Sequence, residues 1–409
     1  MGTERSSAGF RSVLANRQFL IFLASSNASM VGYAVYSISI VWLAYSVSHN
    51  FLDVGAVLFI EYACYTLTFL TGPVVDRVKN QRMIFVASYP IQAAAAAAIG
   101  LGVFYGFLSI GLLFALVAVI SILWDMTWAA MNAAPGVLLS PEEQFAAGGV
   151  SGTVGGALSI AGYATGGALI LTVGAEGGML LYAALLLAGT VLALPLVISP
   201  PARPPTSFGA SFREGWRRVV GGAGRPLLQL AAVDSIQGFF VGASAILITL
   251  LATATYHESA AGYGVLFTAF VVGGVVAGLA LGRWNPRGRV GAILAGSLAI
   301  AGAMYLVAVA LPPLLLLGAA AWFFVGFATS AYADAKYAYF RGALPPEQLG
   351  RVISNMYLFP GIAGSAGALV LSEVAAHGHP VLLGVGIGGA LLAAGVLAVA
   401  LPAVRRMRY

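Results

Sequence analysis

Twelve apolar runs, each long enough to cross a lipid bilayer, constrain the fold of this sequence more than any other feature. Six fall near residues 19–47, 53–75, 83–108, 110–139, 146–173 and 177–198, and six more near 226–254, 260–281, 290–311, 314–342, 351–376 and 380–402. A bilayer core about 30 Å thick needs about 20 apolar residues per helix. Charged residues make up 8% of the chain, against about 25% in soluble domains. We therefore expect an all-α polytopic membrane protein with twelve transmembrane helices.

The basic residues lie almost entirely on one side of these predicted helices. With both termini in the cytoplasm, 19 of the 20 Lys and Arg residues fall in inner segments, and Lys336 is the exception. This asymmetry is the positive-inside pattern that orients membrane helices. The net charge of +6 then indicates contact with an anionic inner leaflet of the bilayer and no nucleic-acid partner. We expect a multi-pass protein of a prokaryotic cytoplasmic membrane, with both termini cytoplasmic.

A proline-rich polar stretch divides the chain nearly in half. It predicts a six-helix bundle at 1–198, a cytoplasmic linker with a short amphipathic basic helix at 199–225, and a second bundle at 226–409. Loop sequences repeat between the halves, since GPVVDR from Gly72 recurs as GLALGR from Gly278, 206 residues later. Such a repeat predicts two pseudo-symmetric bundles with a binding site between them near the membrane midplane.

The sequence disfavours two classes of function, ATP hydrolysis by a phosphate-binding loop and catalysis by an intramembrane enzyme. A phosphate-binding GxxxxGK[ST] loop needs a lysine after glycine, but Lys79 follows Val78 and Lys336 follows Ala335. Cys64 is the sole cysteine, which excludes a disulfide framework or a cysteine-ligated metal cluster. The four histidines fall in predicted outer loops, so an intramembrane serine nucleophile would have no histidine base. We expect no enzyme activity, no cofactor and no metal.

The loop after the second predicted helix has the sequence GPVVDRVKNQR, from Gly72 to Arg82. In a twelve-helix chain this resembles the major facilitator superfamily, whose loop carries G-x-x-x-D-R-x-x-x-[RK]-[RK]. AAPGVLLSPEEQ, LPPEQLGRV and the glycine-rich fifth helix resemble the branch of enterobactin exporters and macrolide-efflux proteins, the type-3 drug:proton antiporters. Two departures are Gly32-Tyr33, where that branch often has Gly-Asp, and Tyr163, which stands where the antiporter pattern has proline.

This resemblance implies the superfamily fold and a monomer that exports a small amphipathic molecule, drug-like or siderophore-like, against inward proton flow. The gating motif, defined as Gly72, Asp76, Arg77 and Arg82, is then expected to close the inner side. Its aspartate can accept from arginine and from backbone N–H groups of a facing helix in one conformation alone. The alternative is an ordinary inner loop that obeys the positive-inside rule.

Four carboxyl groups fall inside predicted helices, where an ionisable group costs several kcal/mol unless it is paired or hydrated. We interpret them as candidates for proton coupling, with the first two favoured: Asp125, Asp234, Glu61 and Asp334. For Asp125, Asp234 and Glu61 the alternative is a structural hydrogen bond between helices, and for Asp334 it is an ordinary position near the inner end of the tenth helix. Asp334 and Lys336 are two residues apart and so point apart on a helix, and a lysine reaching to the inner interface is the plainer explanation of Lys336.

Six further side chains are candidates for binding the cargo. In the resembled superfamily the first, fourth, seventh and tenth helices line the cavity, and these helices carry Tyr33, Tyr36, Trp128, Asn132, Gln237 and Lys336. Aromatic groups suit an amphipathic cargo, although static packing is the alternative. The expected partners are a small-molecule substrate, protons and the bilayer. A lipid flippase or scramblase, proton-coupled uptake and uniport remain alternatives on the same fold.

Overall fold

Helices are the only regular secondary structure in the described part of the chain, which confirms the predicted all-α class. The structure is a computed structural model, and it describes residues 12–67, 71, 74–75, 78–199, 213, 216–217, 219–221, 225–242, 244–256, 260–284, 288–311, 314–344, 352–353 and 355–407.

Among the described residues before 199, five long helices are found. They are α1 (Arg17–Ser48), α2 (Phe51–Thr66), α3 (Arg82–Phe104), α4 (Ile110–Ala133) and α5 (Pro141–Ala193), with a single turn, Pro135–Leu138, after α4. The 53-residue α5 is interrupted at Gly174, whose φ of 76° and ψ of 171° are not helical. Because a positive φ is open to glycine at no steric cost, this one residue separates the fifth and sixth predicted helices where we expected a short loop.

Seven helices of seven or more residues follow the linker in the part of this half that the structure describes. They are α6 (Arg225–Val241), α7 (Ser244–Leu250), α8 (Ala260–Trp284), α9 (Val290–Ala310), α10 (Leu315–Ala343), α11 (Leu358–Ala376) and α12 (Pro380–Ala400), with a closing turn, Pro402–Arg405. A π-helical turn, Leu251–Thr255, continues α7. The seventh predicted span, 226–254, is therefore built from two helices and a π turn.

Ten helical stretches within the described residues are long and apolar enough to cross a membrane. The second and fifth predicted spans are not among these ten. In the second position α2 has 16 residues, and in the fifth a shorter apolar stretch is found at Val154–Tyr163. The order of the apolar helices therefore follows the polytopic pattern that the hydropathy predicts, and ten of the twelve predicted spans are long enough to cross a membrane within the described residues.

Contacts between residues divide the chain into two compact units. The first unit comprises Met1–Ile40 and Leu70–Pro205, and the second comprises Val41–Phe69 and Thr206–Tyr409. Helix α2 thus belongs by its contacts to the second unit, whereas the sequence analysis assigned it to the bundle at 1–198. The bundle boundaries and the side of the membrane on which the termini lie stay predictions.

Polar contacts tie the helix ends of the first unit together. The hydroxyl of Ser12 donates to the carboxylate of Glu143 in the first turn of α5, and Asn16 Nδ2 donates to the backbone oxygen of Leu138 at 3.1 Å. The Ser12 hydroxyl, followed by the backbone N–H of Ser140, lowers the pKa of Glu143 below its usual range. Glu143 also completes a capping box with Ser140, which fixes the start of α5.

Close approach of small residues characterises the packing of α2 on α11 in the second unit. A Cβ atom added to Gly55 would lie 2.7 Å from the backbone oxygen of Ala368, and one added to Gly364 would lie 3.1 Å from the ring of Tyr62. Small residues allow such close helix contacts in membranes. Gly55 and Gly364 therefore allow α2 and α11 to approach more closely than larger side chains would.

Candidate functional site

Three charged side chains are buried within the described part of the chain. They are Asp234, Asp125 and Lys336, which are 1%, 3% and 8% exposed. Burial of a charge is costly unless a partner compensates it. All three residues were candidates in the sequence analysis, and the structure brings two of them, Asp234 and Lys336, into contact.

Asp234 of α6 and Lys336 of α10 form a buried ion pair in the second unit. Lys336 Nζ lies 3.1 Å from Asp234 Oδ2 and 3.2 Å from Oδ1. The hydroxyl of Tyr332, one turn before Lys336 on the same face of α10, donates to Asp234 Oδ1 at 2.6 Å. Both carboxylate oxygens therefore accept charge-assisted or short hydrogen bonds. We call Asp234, Tyr332 and Lys336 the charged triad.

Two tyrosine rings lie close to the ammonium group of the charged triad. Lys336 Nζ lies 5.6 Å from the ring centroid of Tyr332 and 5.7 Å from that of Tyr337, within the range of a cation–π interaction. The hydroxyl of Tyr337 shares a hydrogen bond with that of Tyr357, and the rings of Tyr357 and Tyr65 are 5.1 Å apart. These last three residues, Tyr65, Tyr337 and Tyr357, are half-buried, and we call them the tyrosine wall.

The charged triad has two protonation states, which differ in the interactions between α6 and α10. With Asp234 ionised, its carboxylate links α6 to α10 through Lys336 and Tyr332. A proton added to the carboxylate removes the ion pair and leaves the ammonium of Lys336 as an uncompensated charge. The charge of one buried acid thus decides whether an ion pair joins the two helices.

The predicted aromatic residues of the first unit form a continuous row. Tyr33 stacks on Trp124 with centroids 3.8 Å apart, and Trp124 stacks on Trp128 at 6.2 Å. On the other side Tyr33 contacts Tyr36 at 5.6 Å, and Tyr36 contacts Tyr182 at 5.1 Å. We call these five side chains the aromatic row. The sequence analysis named Tyr33, Tyr36 and Trp128 but missed Trp124 and Tyr182.

The polar face predicted on α4 runs from the interior of the first unit to its surface. Asp125 is buried, Trp128 is half-buried and Asn132 is exposed. Asn132 Nδ2 donates to the backbone oxygen of Trp128, in its own helix, at 2.8 Å. Of the three, Asp125 is therefore the one that is buried in the interior of the first unit.

The remaining candidates occupy intermediate or exposed positions. Gln237 follows Asp234 by one turn on α6 and is half-buried, as is Glu61 on α2. Asp334 is exposed, whereas Lys336 is buried; the two side chains take opposite environments, as their spacing on α10 predicts. The expectation that Lys336 reaches to the interface is replaced by its pairing with Asp234.

Most of the gating motif lies outside the described residues. These are Gly72, Asp76 and Arg77, and the expectation that they close the inner side stays a prediction. Arg82 is described at the start of α3, where its Nη1 donates to the backbone oxygen of Leu194 at 2.8 Å. The neighbouring Gln81 backbone N–H donates to the oxygen of Ile198 at 2.9 Å. The end of this loop is thus bonded to the segment after α5.

An apolar groove of about 410 Å³ separates parts of α1 and α5 in the first unit. Asn27 is the polar residue among its lining side chains, and it bonds the backbone oxygen of Leu23 in its own helix. The other lining residues include Leu20, Val154 and Leu158. The groove offers dispersion contacts and no ionisable group.

Comparisons with known proteins identify the fold. No family model matches the sequence, and no curated relative was found for it. Among solved structures, a POT family transporter in complex with 5-aminolevulinic acid aligns with a TM-score of 0.75 at 9% identity, covering 93% of this chain and 95% of its own. The nucleoside transporter NupG aligns with a TM-score of 0.68 at 12% identity, covering 95% and 99%.

A bacterial homologue of the human lysosomal transporter Spinster, in an inward-facing and unoccupied conformation, aligns with a TM-score of 0.67 at 16% identity, covering 96% of this chain and 98% of its own. All three are transporters of the major facilitator fold. At these identities the likeness defines the fold, and it confirms the fold class that the sequence predicted.

Proposed function

We propose that this chain, which has the fold of the major facilitator transporters, is a proton-coupled secondary transporter of a small amphipathic molecule that works by alternating access. The observation that carries this proposal is the buried ion pair between Asp234 and Lys336, to which Tyr332 adds a hydrogen bond. A membrane protein retains a buried ion pair against its desolvation cost when the pair serves ion or substrate movement. The fold supports the transporter class, and the charged triad supports coupling.

Coupling follows from the two states of the charged triad. Ionised Asp234 bonds α6 to α10, and protonated Asp234 releases Lys336 from that bond. A proton that binds one conformation better than the other shifts the equilibrium between the two by its differential affinity. We place the coupling proton on Asp234 and keep Asp125, buried in the first unit, as the second candidate. Glu61 and Asp334 are less buried and rank below them.

Aromatic surfaces support an amphipathic cargo. The aromatic row and the tyrosine wall supply flat apolar faces, and Gln237 adds a polar group one turn from Asp234. Aromatic side chains contribute both apolar area and oriented polar tips to such sites. We propose that these groups bind the cargo, with Tyr33, Tyr36 and Trp128 in the first unit.

Direction of transport divides the proposal into two candidates. Export against inward proton flow is implied by the sequence resemblance, together with an inner gate formed by Asp76 and Arg77. Uptake together with protons is the second candidate, and one observation disfavours a cationic cargo in either direction. Because Lys336 already neutralises Asp234, a cationic drug would find no unpaired carboxylate in the charged triad.

Transport by the purified protein in liposomes tests the proposal. A pH gradient is imposed in either direction, and a panel of drug cations, catecholate siderophores, nucleosides, dipeptides and aromatic carboxylates is offered in radiolabelled form. We expect at least one compound to accumulate against its own gradient and a protonophore to abolish that accumulation. Compounds that merely equilibrate, or a panel with no transported member relative to protein-free liposomes, would contradict it.

A further inference from the structure

We propose that the cargo is an organic anion whose carboxylate replaces Asp234 on Lys336 when Asp234 becomes protonated. This inference rests on the proposed function and adds to it the charge of the cargo and the sign of the coupling. It is carried by three features of the second unit: the neutrality of the charged triad, its two hydrogen-bond donors, and the tyrosine wall beside it.

Charge balance is the first step. Asp234 and Lys336 are 1% and 8% exposed and together carry no net charge. When a proton binds a carboxylate oxygen of Asp234, one O–H bond forms and the net charge of the triad rises from zero to +1, because the ammonium of Lys336 is no longer neutralised. A buried charge without a partner is strongly unfavourable. An incoming carboxylate restores neutrality, so proton and anion bind more favourably together than either does alone.

The donors of the charged triad are the second step. Asp234 itself is a carboxylate bound at this place, by the ammonium of Lys336 at 3.1 and 3.2 Å and by the hydroxyl of Tyr332 at 2.6 Å. Both donors become available when Asp234 is protonated and withdraws. A carboxylate from the cargo therefore meets the donor set that already binds the protein's own carboxylate.

The tyrosine wall is the third step. Tyr337 lies beside Lys336, and its ring is 6.4 Å from that of Tyr357, which in turn is 5.1 Å from that of Tyr65. These side chains are half-buried, so they present ring faces and edges next to the charged triad. A flat apolar body attached to the carboxylate would pack on them. The matching cargo is an aromatic or similarly flat carboxylic acid.

A cationic cargo is disfavoured by the same groups. To reach Asp234 it would have to displace Lys336, which would then be buried without a counter-ion. Among the described residues, the ionisable side chains that contact Lys336 besides Asp234 include Tyr332 and Tyr337 of α10, and Tyr337 in turn contacts Tyr357. Tyrosines are uncharged near neutral pH, so they do not supply that counter-ion.

The sign of the coupling follows from this balance. Where Asp234 must be protonated before the anion binds, the affinity for the anion rises by up to about tenfold for each unit of falling pH. Proton and cargo then cross the membrane in the same direction. The inference thus selects the uptake candidate over export against proton flow.

Binding of three compounds of one shape and different charge tests the inference. Phenylacetate, phenylacetamide and phenethylamine are titrated calorimetrically into the full chain in nanodiscs at about pH 5.5 and about pH 7.5, in two buffers of different ionisation enthalpy. We expect phenylacetate to bind about tenfold or more tighter at the lower pH, with uptake of about one proton per anion. The amide should bind at least about tenfold more weakly, and the amine should not bind.

Variants separate this role from a merely structural one. Asp234→Asn imitates the protonated acid, so it should bind phenylacetate equally at both pH values and without proton uptake. The double variant Asp234→Asn/Lys336→Gln keeps a neutral hydrogen-bonding pair and should lose phenylacetate binding. Glu373→Gln, an exposed carboxyl on α11, is the matched control and should behave as the wild type does.

Two kinds of negative result would contradict different proposals, the anionic cargo or the coupling role of Asp234. Preferential binding of phenethylamine with proton release, or no binding of phenylacetate to wild type and Asp234→Asn alike, would overturn the anionic cargo and leave proton-coupled transport standing. Proton-coupled accumulation in liposomes that persists in Asp234→Asn would instead overturn the coupling role in the proposed function.

Discussion

Removal of one partner of a buried ion pair destabilises a protein more than removal of both partners does. Breaking such a pair typically destabilises a protein by about 3–5 kcal/mol, because the remaining charge stays buried, whereas replacement of both partners by groups of similar volume is often neutral. Asp234 and Lys336 are 102 residues apart in the sequence and within 3.2 Å in the fold. Their pairing therefore makes a non-additive prediction for single and double variants.

We expect Lys336→Gln or Asp234→Asn alone to lower the free energy of unfolding by about 3 kcal/mol, since the remaining charged group would lose its buried partner. The double variant Asp234→Asn/Lys336→Gln should recover most of that loss. Thermal unfolding in detergent, followed by tryptophan fluorescence, measures both. Additive losses in the double variant would mean that the two side chains do not interact.

The sequence analysis named both residues of the buried ion pair, Asp234 and Lys336, but it did not name Tyr332, Tyr65 or Tyr357 beside them. Asp234 and Lys336 stand out because charge in an apolar helix is rare, but nothing in one sequence indicates which charges meet across 102 residues. Tyr332 could have been found, since it precedes Lys336 by one helical turn. Tyr65 and Tyr357 carry no such signal, because tyrosines are common at membrane interfaces and in packing contacts.

Glycine contacts determine how closely the helices of the second unit approach. A Cβ atom on Gly55 of α2 would lie 2.7 Å from the backbone oxygen of Ala368 in α11, whereas one on Gly389 of α12 would have no atom within 4 Å. Backbone atoms cannot rotate out of the way as side chains can. The same substitution at the two positions therefore separates packing from helix propensity.

We expect Gly55→Ala to destabilise the protein by about 1–3 kcal/mol, because it overpacks the contact between α2 and α11. Gly389→Ala, the matched control, should be neutral or stabilising by up to about 1 kcal/mol, since alanine favours the helix. Unfolding midpoints in detergent compare the two. Equal effects of both substitutions would show that α2 does not pack on α11 as described.

The start of α5 gives a pH-dependent prediction. Donation from the Ser12 hydroxyl lowers the pKa of Glu143, so the ionised carboxylate contributes stability above the usual carboxyl range, and this contribution is lost as the pH falls through the lowered pKa. Ser12→Ala should therefore lower the unfolding midpoint at neutral pH. The difference from wild type should vanish in strongly acidic solution. A difference that is independent of pH would assign the contact to packing.

The positions of the helices were predictable from the sequence, but the backbone irregularities inside them were not. Apolar runs at 83–108 and 290–311 correspond to α3 (Arg82–Phe104) and α9 (Val290–Ala310). Hydropathy contains no information on backbone irregularities inside a run, so the π turn at Leu251–Thr255 and the interruption of α5 at Gly174 were missed. A glycine is compatible with either an unbroken helix or a positive φ.

The whole-molecule fold was predictable because few folds satisfy twelve apolar runs, a one-sided distribution of basic residues and two repeating halves. The lipid environment forces each run into a helix, which reduces the problem to their number and orientation. The cargo was not predictable in the same way, since it depends on contacts between distant residues. The basic residues predict the orientation of this fold in the membrane, with both termini in the cytoplasm.

Labelling of single cysteines measures that orientation. In a Cys64→Ala background we expect Tyr105→Cys, at a 71% exposed position after α3, to react with an impermeant maleimide from outside intact cells. Arg289→Cys, exposed before α9, should react only after the cells are opened, because the positive-inside rule places it in the cytoplasm. The opposite pattern would invert the predicted topology.

Comparison of two transport modes in one variant tests the central claim most directly. With a transported compound in hand, counterflow exchange and pH-driven accumulation are measured in liposomes containing wild type, Asp234→Asn or Glu373→Gln. Coupling through the charged triad predicts that Asp234→Asn retains exchange but concentrates cargo no more than about twofold above equilibrium, since no proton binds its amide. Accumulation by Asp234→Asn equal to that of wild type and Glu373→Gln would contradict the account.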